Sequence, residues 1–285
     1  MLPPSLPAAQ ALLARHNVRV LGTGSTTLLF CNGYNCSQRI WHYLLPTLVA
    51  QYRVVLFDQM GLSEASWATY DPGKYGTLRG YAQDVVAICQ ALDLREVTLI
   101  GHSEGAMVAL LAVKQTPAYF ARTVLLAATP CHLNQPGYYG GFEATDLLAL
   151  LAARGHNYQN WATTLAFTLM GEGQPAALGH ELATHFCLAD PHIARLTAYA
   201  AFLSDHRADL RYLTVPPLLL QCADDVAVPV EVNAYLLTQL PHARLTVLPT
   251  TGHCPHLSAP LLVLAALQAF LAESPCSPGL EAGAV

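Results

Sequence analysis

Charge is scarce in this chain: Asp, Glu, Lys and Arg together supply 12% of its 285 residues, against 53% hydrophobic residues. So little charge beside so much apolar material excludes a disordered, solvating chain and assures a core, in keeping with a mean hydropathy of +0.33. The 14 Lys and Arg are scattered singly and outnumbered by 19 Asp and Glu, so no basic face is expected and nucleic acid is not a partner. Long apolar runs are missing as well. Leu147 to Ala153 and Leu261 to Leu271 fall short of the roughly 20 residues that span a bilayer, and Met1 to Gln10 carries prolines rather than the basic start of a leader. The reading is a soluble, cytoplasmic protein with no membrane association. The eight cysteines, at 31, 36, 89, 131, 187, 222, 254 and 276, form no CxxC pair. Several lie in apolar segments, as Cys89 and Cys222 do, where a reduced thiol serves as a small hydrophobe. His253-Cys254-Pro255-His256 is the one metal-like cluster and lacks a second ligand pair at zinc spacing. No metal or cofactor is expected.

What is present is an alternation of short β-branched runs with longer segments of helical period, the pattern of a parallel sheet with crossover helices. Strands are expected at Thr27 to Cys31, Arg53 to Asp58, Val97 to Ile100, Thr123 to Ala127, Pro217 to Cys222 and Arg244 to Leu248, with Val18 to Leu21 at an edge. Helices are expected at Ile40 to Ala50, Tyr81 to Leu92, Glu104 to Gln115, Val230 to Leu240 and Pro260 to Ala272. The fold class is α/β, a mostly parallel doubly wound sheet. About ninety residues separate the strand ending near Ala127 from the one beginning near Pro217, far more than one crossover needs. An inserted cap of four helices is expected there, at Phe142 to Ala153, Tyr158 to Met170, Pro175 to Cys187 and Pro191 to Ser204, with Asp190 as an N-cap before Pro191. The core thus comprises 1–130 and 210–275 and the cap 131–209, with 276–285 a frayed tail.

Val97-Thr98-Leu99-Ile100-Gly101-His102-Ser103-Glu104-Gly105 is a strand running into G-x-S-x-G and then a helical pattern, the context of a nucleophile elbow. A serine hydroxyl needs a base to take its proton, and the base needs an acid to hold its tautomer. In this architecture the order is Ser, acid, His, each after a strand. Asp224 and Asp225 both follow the strand ending at Cys222 and compete for the acid's place; His253 follows the last strand and is the expected base, with His242 and His256 as rivals. Outside that role His242 and His256, like the remaining histidines, read as solvated or loop-bonded. Acyl transfer also needs two N–H donors for the oxyanion: Glu104, directly after the serine, supplies one, and Tyr34 in the loop Asn32-Gly33-Tyr34-Asn35 the other.

Around these residues the chain resembles the RsbQ-type α/β-hydrolases of bacterial stress signalling, whose plant relatives are the strigolactone and karrikin receptors. The likeness runs from Asn17 to about Phe270. It rests on Tyr81-Ala82-Gln83-Asp84-Val85, Gly101-His102-Ser103, Tyr138-Tyr139-Gly140-Gly141-Phe142, Asn160-Trp161-Ala162, Ser204-Asp205-His206-Arg207, Gln221-Cys222-Ala223-Asp224-Asp225 and Gly252-His253-Cys254-Pro255-His256. The resemblance implies a triad of Ser103, Asp225 and His253, an oxyanion hole at Tyr34 and Glu104, and an apolar pocket under the cap lined by Tyr34, His102, Phe142, Trp161 and Phe202. It implies an esterase or lactonase needing no cofactor, or else a ligand sensor acting on a stress-pathway phosphatase. Two positions depart from the family pattern. Glu104 stands where relatives carry a small apolar residue, and Tyr34-Asn35 where they carry Phe and Gly.

Overall fold

The computed structural model describes residues 5–153 and 157–273; the expected frayed tail, 276–285, lies outside them, as does His156. Among the described residues seven strands form one sheet: β1 (Arg19–Leu21), β2 (Thr27–Cys31), β3 (Arg53–Leu56), β4 (Val97–His102), β5 (Phe120–Leu126), β6 (Pro217–Asp224) and β7 (Arg244–Thr251). Their spatial order is β1-β3-β2-β4-β5-β6-β7, parallel except for β1, which pairs antiparallel with β3 at the edge. The central strands β2 and β4 are buried along their whole length, as continuous apolar runs covered on both faces must be. β7 is the opposite edge, and it accommodates Pro249 because an edge strand has one side free of ladder bonds.

Helices α1 (Leu6–Arg15), α2 (Leu78–Ala91), α3 (Glu104–Gln115), α8 (Val230–Gln239) and α9 (Pro260–Ala272) flank the sheet, and α4 (Ala144–Ala153), α5 (Tyr158–Met170), α6 (Ala176–Phe186) and α7 (Pro191–Phe202) fill the interval between β5 and β6. In α2 the buried positions Leu78, Tyr81, Ala82, Val85, Ile88 and Cys89 recur at the 3–4 spacing of one helix face. Asp190 caps α7 as expected, its carboxylate accepting from the N–H groups of His192 (2.9 Å) and Ile193 (3.1 Å). Among the described residues no helix is long and apolar enough to cross a membrane.

Beside shifts of a few residues at element ends, such as the start of α2 at Leu78 rather than Tyr81 and of β5 at Phe120 rather than Thr123, three departures from the sequence reading stand out. The helix expected over Ile40 to Ala50 is broken into a 3₁₀ turn at Gln38–Trp41 and a single turn at Leu45–Leu48. Pro46 explains this: it is tolerated in the first turn of a helix but cannot supply an interior hydrogen bond. The first cap helix begins at Ala144 rather than Phe142, whose N–H donates instead to the carbonyl of His132 at 3.1 Å. Helix α1 is absent from the expected elements, although Ser5 and Pro7 stand where an N-cap and a first-turn proline belong.

The order in which strands are added reverses between the parallel neighbours β2 and β4: the chain first moves outward to β3 and then returns to build β4, β5, β6 and β7 on the other side. In an open parallel sheet such a switch point opens a crevice at the carboxyl ends of the strands. Close contact across it depends on glycine. A Cβ at Gly101 would overlap the carbonyl oxygen of Gly105, and one at Gly105 would overlap the carbonyl oxygens of Cys31 and Asn32. Gly105→Ala is therefore expected to force β2, β4 and α3 apart at a cost of about 2–3 kcal/mol, lowering Tm by roughly 4–12 °C. A calorimetric Tm within a degree of the parent contradicts that packing.

Candidate active site

Ser103 follows the last residue of β4 and caps α3 with φ 53° and ψ −119°. Left-handed φ at a non-glycine residue costs about 1–3 kcal/mol and persists only where the surroundings enforce it. Here the Ser103 N–H donates to Leu126 O at 2.9 Å, prolonging the β4–β5 ladder, while α3 starts at the next residue. The turn has no room to relax.

Asp225 stands just beyond β6 and His253 two residues beyond β7. The His253 Nδ1 lies 2.8 Å and 3.1 Å from the two Asp225 carboxylate oxygens, and its Nε2 lies 2.7 Å from Ser103 Oγ. A carboxylate accepts and cannot donate, so Nδ1 carries the proton and Nε2 is left to accept from the serine hydroxyl. Asp225 also accepts from the Ala227 N–H at 2.9 Å. Burial alone would raise its pKa, but the attraction and hydrogen bonding of His253 outweigh this and hold it below the ordinary aspartate value. Strand alternation separates the two aspartates: neighbouring side chains face opposite ways, and Asp224 is exposed while Asp225 is buried. Neither His242 nor His256 takes the place of His253. His256 is fully buried against Trp41 and His102, at ring-centroid distances of 4.7 Å and 4.4 Å, and so is neither solvated nor loop-bonded as the sequence suggests. Burial drives its pKa well below the usual histidine value.

The His253 loop leans on the cap. Its backbone N–H donates to Leu169 O at 2.6 Å, Gly252 has φ 90°, and any Cβ at Gly252 would overlap the carbonyl of Met170. On the other side Tyr34 OH donates to Ala194 O of α7 at 3.0 Å. Cap helices therefore touch both the base and the loop that carries Tyr34.

Two small cavities meet at Ser103 and share Tyr34, His132 and Phe202 as walls. One continues past His102, His253, Leu169, Leu182 and Phe186; the other runs past Glu104, Leu78, Met107 and Ala201. Of the residues expected in the pocket, Tyr34, His102 and Phe202 line these cavities, whereas Phe142 and Trp161 line neither. Trp161 is spent inside the cap, its Nε1 donating to Leu150 O at 2.8 Å and its ring stacked on Tyr158, and Phe142 packs edge-on to His132. Sequence reasoning missed His132 and Phe186. His132 follows β5, so the rule that ligands meet strand ends points to it; Leu182 and Phe186 share one face of α6 through their i, i+4 spacing. His102 donates through Nε2 to His253 O at 2.8 Å, and burial brings its pKa down to about 3, so it acts as a neutral prop for the base's loop.

Glu104 is the unusual group. It is 6% exposed, neither carboxyl oxygen has a hydrogen-bond partner, and burial pushes its pKa up to about 8. Between the unfolded pKa near 4.3 and about 8 the folded state holds a proton that the unfolded state has released, so stability falls as pH rises. Glu104→Gln is expected to flatten Tm between pH 5 and 8 and to be the more stable protein at pH 8. Parallel Tm curves for the two proteins contradict a neutral Glu104.

A strained serine elbow, a carboxylate and an imidazole just beyond the ends of β4, β6 and β7 of a parallel sheet make up the arrangement that distinguishes the α/β-hydrolase class. Residues 28–267 match the family model described as the alpha/beta hydrolase family, and the chain belongs to that family. Among curated relatives it is similar to a probable esterase from Oryza sativa subsp. japonica, with 39% identity over 254 residues, 88% of this chain and 94% of that one. It is similar also to "Karrikin insensitive 2 receptor CA" from Petunia hybrida, with 36% identity over 253 residues, 88% of this chain and 94% of the relative. Among solved structures, olei00960, a hydrolase from Oleispira antarctica, superposes with a TM-score of 0.90 at 34% identity, over 93% of this chain and 98% of that chain.

Proposed function

We propose that the protein hydrolyses a small, largely neutral ester or lactone through an acyl-Ser103 intermediate. The observation that carries the reading is the continuous chain of contacts from Asp225 through His253 to Ser103 Oγ, at 2.8 Å and 2.7 Å. In the first half-reaction Ser103 Oγ attacks the ester carbon while its proton passes to His253 Nε2, and Asp225 stabilises the imidazolium. The carbonyl oxygen takes up the negative charge and is met by the N–H groups of Glu104 and Tyr34. Collapse breaks the bond to the alcohol, which leaves with the proton from Nε2. In the second half a water gives its proton to Nε2, attacks the acyl carbon and releases the acid, returning the proton to Ser103. Apolar walls favour a neutral substrate, and the family resemblance and the esterase relative favour an ester.

A second reading is ligand sensing, in which binding or slow turnover repositions the cap for a protein partner such as a stress-pathway phosphatase. Its support is the direct bond from His253 N–H to Leu169 O of α5, which links the base to the cap, together with the receptor relative. Hydrolysis of short-chain p-nitrophenyl esters, followed beside ligand-induced melting shifts, separates the two. Steady multiple turnover supports the hydrolase; a melting shift without turnover supports the sensor.

A further inference from the structure

The two cavities at Ser103 are chemically unequal, and the reaction assigns each a half of the substrate. The leaving oxygen takes its proton from His253 Nε2, so the alcohol portion lies in the lobe that His253 lines with Leu169, Leu182 and Phe186. The acyl portion stays bonded to Ser103 and occupies the other lobe, which is apolar at Leu78, Met107 and Ala201 and polar at Glu104, His132, Thr129 and Ser204, the two hydroxyls already donating to Cys131 O and Ala201 O. We propose that Glu104 is the specificity-determining residue of this acyl lobe, and that it selects a short acyl group bearing an uncharged hydrogen-bonding function, a hydroxyl or a carboxamide. The assignment rests on the hydrolase reading above.

Three observations carry it. Glu104 lines the lobe beside Ser103, and both its carboxyl oxygens are sealed from solvent without a partner. A buried polar group left unpaired is costly, and an apolar side chain at the same place avoids that cost. The groups around it do not relieve it: Cys36, Tyr70 and Tyr81 are uncharged, their pKa values raised by burial, and His132, which lines the same lobe, is neutral because burial brings its pKa down to about 4. The Tyr81 hydroxyl is committed to Tyr70 OH at 3.3 Å and Thr197 Oγ1 at 3.1 Å. No lysine, arginine or histidine pairs with Glu104 among the described residues. At neutral pH burial keeps it protonated, and a carboxylic acid then presents a donor and an acceptor side by side. A hydroxyl or carboxamide a few carbons from the ester carbonyl supplies the complement. An anionic acyl group brings its charge into a buried lobe whose lining offers no cation to pair with it, and a cationic one has to drive the proton from Glu104 before it pairs.

The test compares p-nitrophenyl 3-hydroxybutyrate with its isostere p-nitrophenyl 3-methylbutyrate, in the parent, Glu104→Gln and Glu104→Val. The ratio of kcat/KM for the hydroxyl ester over the methyl ester is expected to be about tenfold in the parent, retained in Glu104→Gln and reversed in Glu104→Val. Above about pH 8 the parent's ratio is expected to fall while that of Glu104→Gln stays level. Binding of both unreacted esters to Ser103→Ala and to Ser103→Ala with Glu104→Val, by calorimetry, reads the same preference without turnover. A binding preference without hydrolysis in the parent upholds Glu104 and removes the hydrolase reading. Equal affinities, or a ratio unchanged in Glu104→Val, overturn the assignment, as does tighter binding of a trimethylammonium acyl ester.

Discussion

Ser103→Ala is expected to lower kcat for a p-nitrophenyl ester by a factor on the order of 10⁴–10⁶, leaving Tm within a few degrees of the parent. In the proposed reaction the chemistry fails because a hydrogen replaces the only atom that would bond the acyl carbon, while the N–H groups proposed to polarise the carbonyl, at 34 and 104, remain to sustain a small residue of activity. The fold survives because the elbow's strain belongs to the backbone at φ 53°, which alanine inherits unchanged, and the side chain gives up a single hydrogen bond to His253. That loss is worth about 1 kcal/mol. Adding His253→Ala to Ser103→Ala is expected to cost almost nothing more, since the two act as one unit. Independent, multiplying losses contradict the shared role.

Asp225→Asn carries the next largest effect, a fall in kcat of about 10⁴-fold. The amide's NH₂ donates to Nδ1, so the imidazole proton moves to Nε2, where it meets the Ser103 hydroxyl as a second donor and no base remains. Asp224→Asn is the control. Asp224 uses its backbone carbonyl, which accepts from Gly252 N–H at 2.8 Å, while its side chain is exposed; its expected change is less than threefold or so, in line with surface substitutions. Asp225 also marks stability. Its folded pKa lies below the unfolded value near 3.9, so its ionised form adds stability above that pH and the gain fades as pH falls through the folded value. The Tm difference between the parent and Asp225→Asn should shrink in acid. A variant that keeps parental kcat removes Asp225 from the reaction.

How far the sequence reveals this molecule depends on the range of the determinant. The elbow is legible because everything it needs is local: a β-branched strand, two glycines where backbones touch, and a helix start within nine residues. Strands buried on both faces announce themselves as unbroken apolar runs, and Asp190 with Pro191 announces α7. Choosing Asp225 over Asp224 takes more, because the choice is one of facing, and facing is fixed only when β6 and β7 align. The pocket is less legible still. Trp161 and Phe202 are both aromatic residues on cap helices, yet one packs inward against α4 and the other reaches Tyr34 and His132 at 5.3 Å and 5.4 Å; which does which depends on how the helices rotate when they dock. Glu104 shows the same limit. At a helix N-terminus a carboxylate reads as stabilised by the helix dipole, and only the folded structure, in which Glu104 lies buried beside a cavity it shares with Tyr34, Leu78 and Ala201, makes it an unpaired acid. The break at Pro46 is legible from proline chemistry alone.

A covalent acyl-Ser103 intermediate is the centre of the proposed reaction, and mass spectrometry of the protein, acid-quenched during turnover of p-nitrophenyl butyrate, tests it most directly. A butyryl adduct is expected on the peptide containing Ser103, formed at least as fast as p-nitrophenol in steady state and missing from Ser103→Ala. Turnover without any adduct, or an adduct on another side chain that persists in Ser103→Ala, contradicts it.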